Sequence, residues 1–292
     1  MMILAFPDYL SQAQRLAARL DVPLAEIVLH HFPDSESLVR LPPSLPEHVV
    51  VCRSLNQPND KLIELMLCAV TARELGAKRL TLVAPYLSYM RQDIANQPGE
   101  AVSQRIVGKL LADLFDDVLT VDPHLHRISS LTQAIPIKNA ISLTAANEIG
   151  AFLKQQFKSA ILLGPDSESK QWVSAIAENI GFDYAIAQKK RLGDRQVEMI
   201  LQDCDYRNRP VIIIDDVAST GRTIAKAAGL LQAAGNDDIY AVITHALFCG
   251  DAYEHILKAG VKNIWSTDSI DHPSACIKLD ALLADAIKAI AR

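Results

Sequence analysis

Two adjacent acids stand where a buried strand is expected to end. The strand is predicted from four consecutive aliphatic residues, Val211 to Ile214, and Asp215 and Asp216 follow it directly. Open α/β sheets bind ligands in the crevice beyond the carboxyl ends of their strands, so a ligand site is expected here. Carboxylates accept hydrogen bonds from a sugar diol or share a divalent cation, whereas they are unsuited to binding phosphate.

A hydroxyl-rich turn comes next, before an Ala-rich amphipathic helix predicted from Ile224 to Ala234. Such a turn aims free backbone N–H groups and the positive end of the helix at its ligand, which suits phosphate. The acids and the turn together predict a sugar phosphate site. The alternative is that the acids only solubilise a loop and that one hydroxyl only caps the helix. The residues of the turn are Ser219, Thr220, Gly221, Arg222 and Thr223.

Three other polar segments could assist phosphate chemistry, and each also has a plainer explanation. Arg91 offers a flat fork for phosphate or for stacking on a base, and Gln92 offers paired atoms for a base edge, although both, with Asp93, suit an ordinary surface. His124 follows a predicted strand and either orients a Mg²⁺ ion or is a satisfied loop histidine. Asp166 also follows a strand and either binds metal or caps the next helix.

The densest basic run of the chain is A-Q-K-K-R-L-G-D-R, at positions 187–195. It predicts an exposed hairpin, either with solvated cations or acting as a flap that closes over a polyphosphate. The sequence contains neither the G-x-x-x-x-G-K-[ST] loop nor the G-x-G-x-x-G fingerprint. If ATP binds, it binds without those loops.

Alternating strands and helices over 292 residues predict two similar α/β domains, residues 1–142 and 143–292. Half of the residues are apolar and only 5% are aromatic, which suits mainly parallel sheets covered by helices. Within the first half, Glu26 to Phe32 and Ser37 to Leu41 predict two antiparallel strands around an acidic turn. The sequence leaves open whether the last helix, Leu279 to Ala291, packs on its own half or on the first.

Composition argues against several classes of function. A net charge of −5 offers no general attraction for nucleic acid or anionic lipid. The five cysteines are odd in number and widely spaced, which suits small apolar residues in a reducing compartment. The first residues do not resemble a signal peptide, and no apolar stretch is long enough to span a membrane. A soluble cytoplasmic protein is expected.

The segment from Pro210 to Thr223 resembles the phosphoribosyl diphosphate (PRPP) binding loop of phosphoribosyltransferases and of ribose-phosphate diphosphokinases, also called pyrophosphokinases or PRPP synthetases. Other segments resemble the diphosphokinases alone and occur in the same order. The resemblance therefore favours that family and implies type I phosphoribosyltransferase-like domains. These segments are Phe32 to Glu36, Pro85 to Asp93, Val121 to His124, Gly164 to Asp166, Lys189 to Arg191, Thr244-His245 and Thr267 to Ile270.

The resemblance implies that the C1 hydroxyl of ribose 5-phosphate attacks the β-phosphorus of ATP, giving PRPP and AMP. It also implies a Mg²⁺ requirement, with His124 and Asp166 serving the metal, and catalysis by Lys189 and Arg191. A homo-oligomer, dimer or hexamer, is expected, with the turn from Phe32 to Glu36 reaching a neighbour's adenine. The residues implied for ribose 5-phosphate are Asp215, Asp216, Ser219, Thr220, Gly221, Arg222 and Thr223. Those implied for ATP are Phe32, Asp34, Ser35, Glu36, Arg91, Gln92 and Asp93.

The chain departs from the family pattern at positions where glycine is common. Arg222 and Ser35 each replace a glycine, so Arg222 must adopt a conformation that does not require one. The segment from Gln97 to Glu100 is more similar to the archaeal-type branch than to the phosphate-activated one. Two other functions stay open: a catalytically silent homologue that regulates a true synthetase, and a phosphoribosyltransferase.

Overall fold

The computed structural model describes residues 1–125, 127–191, 197–202 and 204–291, without the side chains at positions 189–191, 197 and 198. The chain divides into two compact units. Unit 1 comprises Met1–Thr144, Ser269–Asp271 and Leu279–Arg292, and unit 2 comprises Ala145–Asp268 and His272–Lys278. Each unit contains a parallel sheet flanked by helices, so the predicted α/β fold class is confirmed.

Unit 1 is built on a six-stranded sheet with the order β2-β1-β5-β6-β7-β8, in which every strand pair is parallel. A separate antiparallel hairpin, β3-β4, lies between β2 and β5 in sequence. The elements are β1 (Met2–Ala5), α1 (Leu10–Leu20), β2 (Leu24–Glu26), β3 (Val28–His31), β4 (Ser37–Arg40), β5 (His48–Cys52), α2 (Pro58–Glu74), β6 (Arg79–Val83), α3 (Ser103–Leu114), β7 (Asp117–Val121) and β8 (Asn139–Leu143).

Unit 2 has a second six-stranded parallel sheet, with the order β10-β9-β13-β14-β15-β16. Its antiparallel hairpin, β11-β12, again lies between the second and third sheet strands in sequence. The elements are α4 (Ala146–Gln156), β9 (Ile161–Gly164), α5 (Lys170–Ile180), β10 (Asp183–Ile186), β11 (Gln188–Arg191), β12 (Val197–Ile200), β13 (Val211–Ala218), α6 (Arg222–Ala233), β14 (Ile239–Ala246), α7 (Ala252–Lys258), β15 (Asn263–Thr267) and β16 (Ala275–Ile277).

Aliphatic strands form the centre of both sheets. Val49 to Val51 in β5 and Val211 to Ile214 in β13 are almost completely buried, because helices cover both faces of a parallel sheet. Helices of unit 1 and unit 2 bury one apolar side each, and α2 is the exception, because large apolar residues also lie on its outer side. The predicted aliphatic interior is therefore the one observed.

The last helix, α8 (Asp280–Ile290), belongs to unit 1, which answers the question that the sequence left open. It packs against α1, and Arg19 forms an ion pair and a hydrogen bond with the largely buried Asp280. Arg79 Nη2 also donates a hydrogen bond of 2.9 Å to the Ile290 carbonyl oxygen. Helix α8 is therefore part of unit 1, although it lies at the other end of the sequence.

Several local expectations were wrong. The strand predicted to end at Ile214 continues to Ala218, so Asp215 and Asp216 lie within β13. Only Cys52 and Cys68 are buried, whereas three of the five free cysteines are exposed.

Within the described ranges, no helix combines the length and apolarity of a membrane span.

Candidate active site

Strand β13 extends beyond the end of the neighbouring strand β9, and Asp215 and Asp216 lie in this extension. The pairing of β13 with β9 ends at Ile213, while its pairing with β14 continues through Asp215 to Ala218. The two acids therefore border an open side of the sheet beyond the end of β9. Because Asp216 is buried and Asp215 is partly buried within a strand, the alternative of acids that only solubilise a loop is wrong.

Three carboxylates share this edge of unit 2. Burial, followed by the negative charges of Asp216 and Asp166, raises the pKa of the Asp215 carboxyl well above its usual range. The N–H of Asp216 donates to Asp215 Oδ1 at 3.1 Å, and the N–H of Val217 donates to Asp216 Oδ1 at 2.8 Å. The cluster therefore favours added positive charge or hydroxyl donors.

The turn after β13 leaves the start of α6 open. Gly221 has a φ of 70° and is the N-cap of α6, and among the described residues no hydroxyl of the turn is hydrogen-bonded to the helix start, so the alternative of a capping hydroxyl is not observed. A Cβ at Gly221 would lie 2.8 Å from Ile256 Cγ1 and 2.9 Å from the Ala252 carbonyl oxygen, so this position requires glycine. Arg222 is the first residue of α6 and needs no left-handed conformation. The first N–H groups of the helix are available to an anion.

The loop that follows β14 holds this turn in place. The N–H of Phe248 donates to the Ala218 carbonyl at 2.9 Å, and the N–H of Cys249 donates to the Ser219 carbonyl at 2.8 Å. Phe248 itself has a φ of 35°, an uncommon conformation for a bulky side chain. Sequence inspection missed this support, because the bonds join backbone atoms and leave no signature in residue type.

Asp166 shapes the turn before α5, which is close to the capping role considered for it, while its role toward a metal stays a prediction. Its Oδ1 accepts hydrogen bonds from the N–H groups of Glu168 at 3.0 Å and Ser169 at 3.3 Å, which shapes the turn before α5. Its charge also reaches Asp215. One carboxylate therefore organises its own loop and adds to the acidic edge.

The chemistry of the acidic edge is compatible with a divalent cation that is bound mainly through a substrate. Among the residues that the structure describes, no group of three or more His, Cys, Asp or Glu side chains is arranged to enclose a metal. Mg²⁺ commonly uses only one or two carboxylates together with waters and substrate phosphates. Burial first, and the charges of Asp216 and Asp166 second, raise the pKa of Asp215, and a bound cation would favour its ionised form. His124, the other predicted metal residue, lies in the loop after β7 in unit 1.

The predicted ATP residues from Arg91 to Asp93 form a braced loop in unit 1. Arg91 is exposed, and Gln92 accepts hydrogen bonds from the Gln104 N–H at 3.2 Å and from Ser103 Oγ at 3.4 Å. Asp93 is buried and accepts a hydrogen bond of 2.6 Å from Arg127 Nη1. Arg127 was not predicted, although it follows the predicted metal residue His124 closely in sequence.

The other predicted ATP residues lie at the tip of the β3-β4 hairpin. Phe32 is 41% exposed, and Asp34, Ser35 and Glu36 are also exposed. The Phe32 N–H donates to the Glu36 carbonyl at 2.8 Å, which closes the tip. Ser35 has a φ of 73°, so it occupies the left-handed conformation of the glycine that it replaces.

A buried acid, Glu64, anchors that hairpin, and it was not predicted from the sequence. Glu64 of α2 is 2.7 Å from His31 Nε2 and accepts a hydrogen bond of 2.8 Å from Ser37 Oγ. His31 and Ser37 face each other across the hairpin. Arg53 Nη1 lies 2.5 Å from the other oxygen of Glu64. A lone acid within an apolar helix pattern identifies no partner until the tertiary structure is known.

The basic segment forms the predicted hairpin. Lys189 and Arg191 belong to β11, where Lys189 pairs with Met199 of β12 and Arg191 pairs with Val197. The side chains of these two predicted catalytic residues, and the residues at 192–196, lie outside what the structure describes.

Two family models match the chain. The first, described as the N-terminal domain of ribose phosphate pyrophosphokinase, matches residues 1–114. The second, described as the phosphoribosyl transferase domain, matches residues 130–280. Fold and site thus define a protein built on phosphoribosyltransferase-type α/β architecture.

Individual relatives are more specific. Ribose-phosphate pyrophosphokinase from Methanopyrus kandleri is 34% identical over 292 residues, covering 99% of both chains. The protein of that name from Thermococcus kodakarensis is 32% identical over 256 residues, covering 88% of this chain and 90% of the relative. The chain belongs to the ribose-phosphate pyrophosphokinase family, and the resemblance drawn from its motifs is confirmed.

A solved structure supports the fold. The crystal structure of phosphoribosylpyrophosphate synthetase from Mycobacterium smegmatis superimposes with a TM-score of 0.82 at 22% identity. The match covers 99% of this chain and 98% of that one. The fold of the chain is therefore one already seen in a solved structure.

Proposed function

We propose that this chain transfers the diphosphoryl group of ATP to the C1 hydroxyl of ribose 5-phosphate, giving PRPP and AMP. The observation that carries the proposal is the edge of unit 2, where an acidic cluster adjoins a helix start that no side chain caps. Acids suit sugar hydroxyls, and the helix start suits phosphate. The family membership supports the same reaction.

Ribose 5-phosphate binds this edge through both of its ends. Its phosphate accepts hydrogen bonds from the turn formed by Ser219, Thr220, Gly221, Arg222 and Thr223, and the Arg222 guanidinium adds a further donor. Its ring hydroxyls donate to Asp215 and Asp216. The buried Gly221 fixes the path of the turn, because no larger residue fits against α7. The substrate is thereby held at both ends before the phosphoryl donor reacts.

ATP binds the loop and hairpin residues of unit 1. Arg91 and Gln92 contact the nucleotide, and Arg127 holds Asp93 so that this loop keeps its shape. Phe32, Asp34, Ser35 and Glu36 of a neighbouring copy contact the adenine, which makes the protein a homo-oligomer with shared ATP sites. The exposure of Phe32 supports this role, since a free-standing domain has little reason to display an aromatic ring at a hairpin tip.

Mg²⁺ is the expected cofactor, with His124 and Asp166 as its protein contacts. When bound with ATP, it would neutralise phosphate charge and help to orient the diphosphoryl group. Asp166 would contribute an oxygen or hold a metal-bound water, and its backbone contacts with Glu168 and Ser169 fix its orientation. A cytoplasmic location and the absence of nucleic acid or membrane partners stay predictions from the sequence.

Lys189 and Arg191 supply the positive charge for the transfer step. Phosphoryl transfer needs in-line positioning and charge stabilisation rather than covalent work by the protein. A helix end contributes only about 0.3 to 1 kcal/mol per interaction at exposed sites, so it can hold a phosphate but cannot lower the barrier enough. A closing cation in comparable enzymes is worth on the order of 10³ to 10⁵ in rate. The basic hairpin therefore controls turnover, and the turn after β13 mainly controls binding.

The test is incubation of the purified full chain with ATP, ribose 5-phosphate and Mg²⁺, followed by measurement of AMP and PRPP. Both products should form in equal amounts and only when all three components are present. ATP hydrolysis without PRPP, or no AMP at all, would refute the proposal. Ribose 5-phosphate binding measured separately by calorimetry identifies a catalytically silent homologue, which would bind the sugar phosphate without forming AMP.

A further inference from the structure

Three aromatic side chains pack together beside the loop that supports the turn after β13. The rings of Phe248 and Tyr253 meet edge to face, with 5.3 Å between their centroids. His272 lies against both rings, at 4.8 Å from Phe248 and 5.3 Å from Tyr253. Tyr253 belongs to α7, and His272 lies between β15 and β16. Side chains from two other parts of unit 2 thus converge on Phe248, and we call these three residues the aromatic trio.

The imidazole of His272 is held in place by its own neighbours. The Ser274 N–H donates to His272 Nδ1 at 3.1 Å, and Ser274 Oγ lies 2.8 Å from the same nitrogen. Because a backbone N–H can only donate, Nδ1 is an acceptor and carries no proton. Ser274 Oγ is in turn 2.8 Å from Ser266 Oγ of β15, and both serines are buried. The ring of His272 is therefore anchored to the sheet through β15.

Phe248, which the other two rings contact, has an unfavourable backbone conformation. Its φ of 35° costs energy for a bulky side chain and persists only where the surroundings enforce it. This conformation accompanies two hydrogen bonds to the turn after β13, from the Phe248 N–H to the Ala218 carbonyl at 2.9 Å and from the Cys249 N–H to the Ser219 carbonyl at 2.8 Å. A strained residue therefore sets the position of the turn.

We propose that His272 is a positioning residue for the sugar phosphate site, acting through the ring of Phe248. The anchored imidazole holds Phe248 in its left-handed conformation, so that both N–H groups keep the turn in the shape that receives a phosphate. A turn that is already ordered binds its ligand without the cost of ordering it. The identity of the ligand rests on the proposed function, whereas the support of the turn by His272 does not.

A second aromatic cluster in unit 2 allows packing to be separated from positioning. Phe157, Tyr240 and Trp265 lie with ring centroids 5.0 to 6.0 Å apart. Tyr240 is the second residue of β14, whereas Phe248 follows the end of that strand at Ala246. The six residues between Tyr240 and Ala246 span about 20 Å of extended chain. The second cluster therefore packs at the opposite end of β14 from the turn.

The first experiment measures amide hydrogen exchange in the unliganded full chain. His272→Ala should accelerate exchange at the N–H groups of Phe248 and Cys249 by about five- to ten-fold, because an aromatic contact is lost and the strained loop opens more often. Phe157→Leu is the matched control, since it also removes a clustered ring of unit 2, and it should leave these two amides at the wild-type rate. Unchanged exchange in His272→Ala, or equal acceleration in the control, would overturn the proposal.

A more conservative variant keeps this test valid if the alanine variant is poorly folded. His272→Phe retains a ring against Phe248 but offers no acceptor to the Ser274 N–H. It should accelerate exchange at the same two amides by about two- to three-fold, because the contact remains while its anchor is lost. Circular dichroism verifies the fold of each variant. A rate equal to that of wild type would show that the anchor through Ser274 has no role.

Two substitutions at Phe248 separate backbone strain from loss of the ring. Phe248→Ala and Phe248→Gly both remove the ring, but only glycine adopts a φ of 35° without strain. Ribose 5-phosphate affinity, measured by calorimetry, should fall by about ten-fold in Phe248→Ala, and Phe248→Gly should recover about three-fold of that loss. A ring that only fills space predicts no recovery, so a glycine variant that binds no better than the alanine variant would contradict the proposal.

Kinetics distinguish positioning of the substrate from a role in the transfer step. His272→Ala should raise the KM for ribose 5-phosphate by about five- to ten-fold and change kcat by less than about two-fold, because the aromatic trio supports the binding turn and not the transferred group. An equal fall in kcat would contradict the role in positioning. A wild-type chain that binds no ribose 5-phosphate or forms no AMP would refute the proposed function, while the exchange rates would still decide whether His272 supports the turn.

Discussion

Units 1 and 2 share a strand order, an inserted hairpin, and a proline-aspartate pair within three residues of the end of the first sheet strand in sequence. In unit 1 that aspartate is Asp8, and its oxygens lie 3.2 Å from Arg53 Nε and 2.6 Å from Lys61 Nζ. In unit 2 it is Asp166, whose neighbour is the like-charged Asp215. At this edge of the sheet, unit 1 sets its aspartate beside two cations, whereas unit 2 sets its aspartate near a second carboxylate.

The two units also differ at the start of the helix that follows the third sheet strand in sequence, which is α2 in unit 1 and α6 in unit 2. In unit 1, α2 begins with Pro58, which has no N–H to offer, and Lys61 Nζ donates to the Ser54 carbonyl at 2.9 Å. In unit 2, α6 begins after Gly221 with its first N–H groups uncapped. An internal arginine and lysine thus occupy the electrostatic role in unit 1 that a ligand and its cation would occupy in unit 2. The two copies of the fold thus differ in the charges that their own side chains bring to the strand ends, and such differences are common where only one copy holds a functional site.

The largest expected effect is a loss of turnover, and it concerns the difference between the two hairpins. The hairpin of unit 1 is anchored by Glu64, whereas the hairpin of unit 2 carries cations. Lys189→Ala should lower turnover by about 10³ to 10⁵, or roughly 4 to 7 kcal/mol, because transition-state charge is lost. Ribose 5-phosphate affinity, measured by calorimetry, should change by less than about three-fold. Lys190→Ala, at the next position in β11, is the control, and equal losses in both variants would contradict the assigned role.

The second prediction concerns the buried ion pair between Arg53 and Glu64 in unit 1. Glu64→Leu removes the buried acid partner of Arg53 and leaves it only the more exposed Asp8, so it should lower the free energy of unfolding by about 3 kcal/mol. The double variant Arg53→Met/Glu64→Leu should lose much less, because replacing both charges leaves none unpaired. Urea unfolding measures both variants. If the double variant lost as much stability as the two substitutions would lose independently, Arg53 and Glu64 would not stabilise the protein as a pair.

The third prediction concerns the open helix start of unit 2. Gly221→Ala forces a Cβ into a left-handed residue packed against Ile256, and it should destabilise unit 2 by about 1 to 3 kcal/mol while weakening ribose 5-phosphate binding. Gly229→Ala in the same helix has no atom within 4 Å of the new Cβ and should be neutral or stabilising by up to about 1 kcal/mol. Urea unfolding and calorimetry measure both. A similar outcome for the two variants would contradict the structural argument.

Local patterns were sufficient to predict the fold class and most elements. The aliphatic run of β13 and the helical patterns of α6 and α8 allowed the positions of these elements to be predicted within a few residues. The strand boundary failed at Asp215, because charge is a poor guide where a strand extends past its neighbour. The pairing of β13 with β14 decides that boundary, and it is a tertiary property.

The supports of the site could not be predicted from local sequence for a related reason. Glu64, Arg127 and the Phe248 backbone act through partners distant in the chain, and their residue types suit many other roles. Glycine at 221 was visible as part of a turn, but the reason that it must be glycine is the approach of α7. Motif residues can therefore be identified from spacing, while the residues that hold them require the structure.

The fourth prediction compares the two aspartates that follow the first sheet strands. Asp8→Asn weakens ion pairs with Arg53 and Lys61 and should lower the free energy of unfolding by about 1 kcal/mol. Asp166→Asn keeps an oxygen for the Glu168 and Ser169 N–H groups but removes a charge from beside Asp215, so it should raise that free energy by up to about 1 kcal/mol. Thermal unfolding in EDTA measures both variants. Changes of the same sign would remove the contrast between the two edges.

The smallest expected effect is a difference in acid sensitivity. In unit 1, burial opposes ionisation of Glu64 and Asp117, but hydrogen bonds and ion pairs outweigh it and lower the pKa of each carboxyl. For Asp117 the stabilising partners are Arg79, Asn139 and Thr81. A pKa below the unfolded value contributes stability that is complete above the unfolded pKa, near 4, and is lost as the pH falls through the folded pKa. Acid should therefore weaken unit 1.

Probes specific to each unit can detect this difference. Trp172 and Trp265 are the only tryptophans of the chain, and both belong to unit 2, so their fluorescence reports on that unit. Hydrogen exchange in β5 and β6 reports on unit 1. As the pH falls from about 5 to 3, exchange in these strands should accelerate before the fluorescence changes, with about 1.4 kcal/mol lost per unit of pKa difference. Asp117→Asn should flatten the pH dependence of the exchange, and coincident transitions in the wild-type chain would contradict the assignment of acid sensitivity to unit 1.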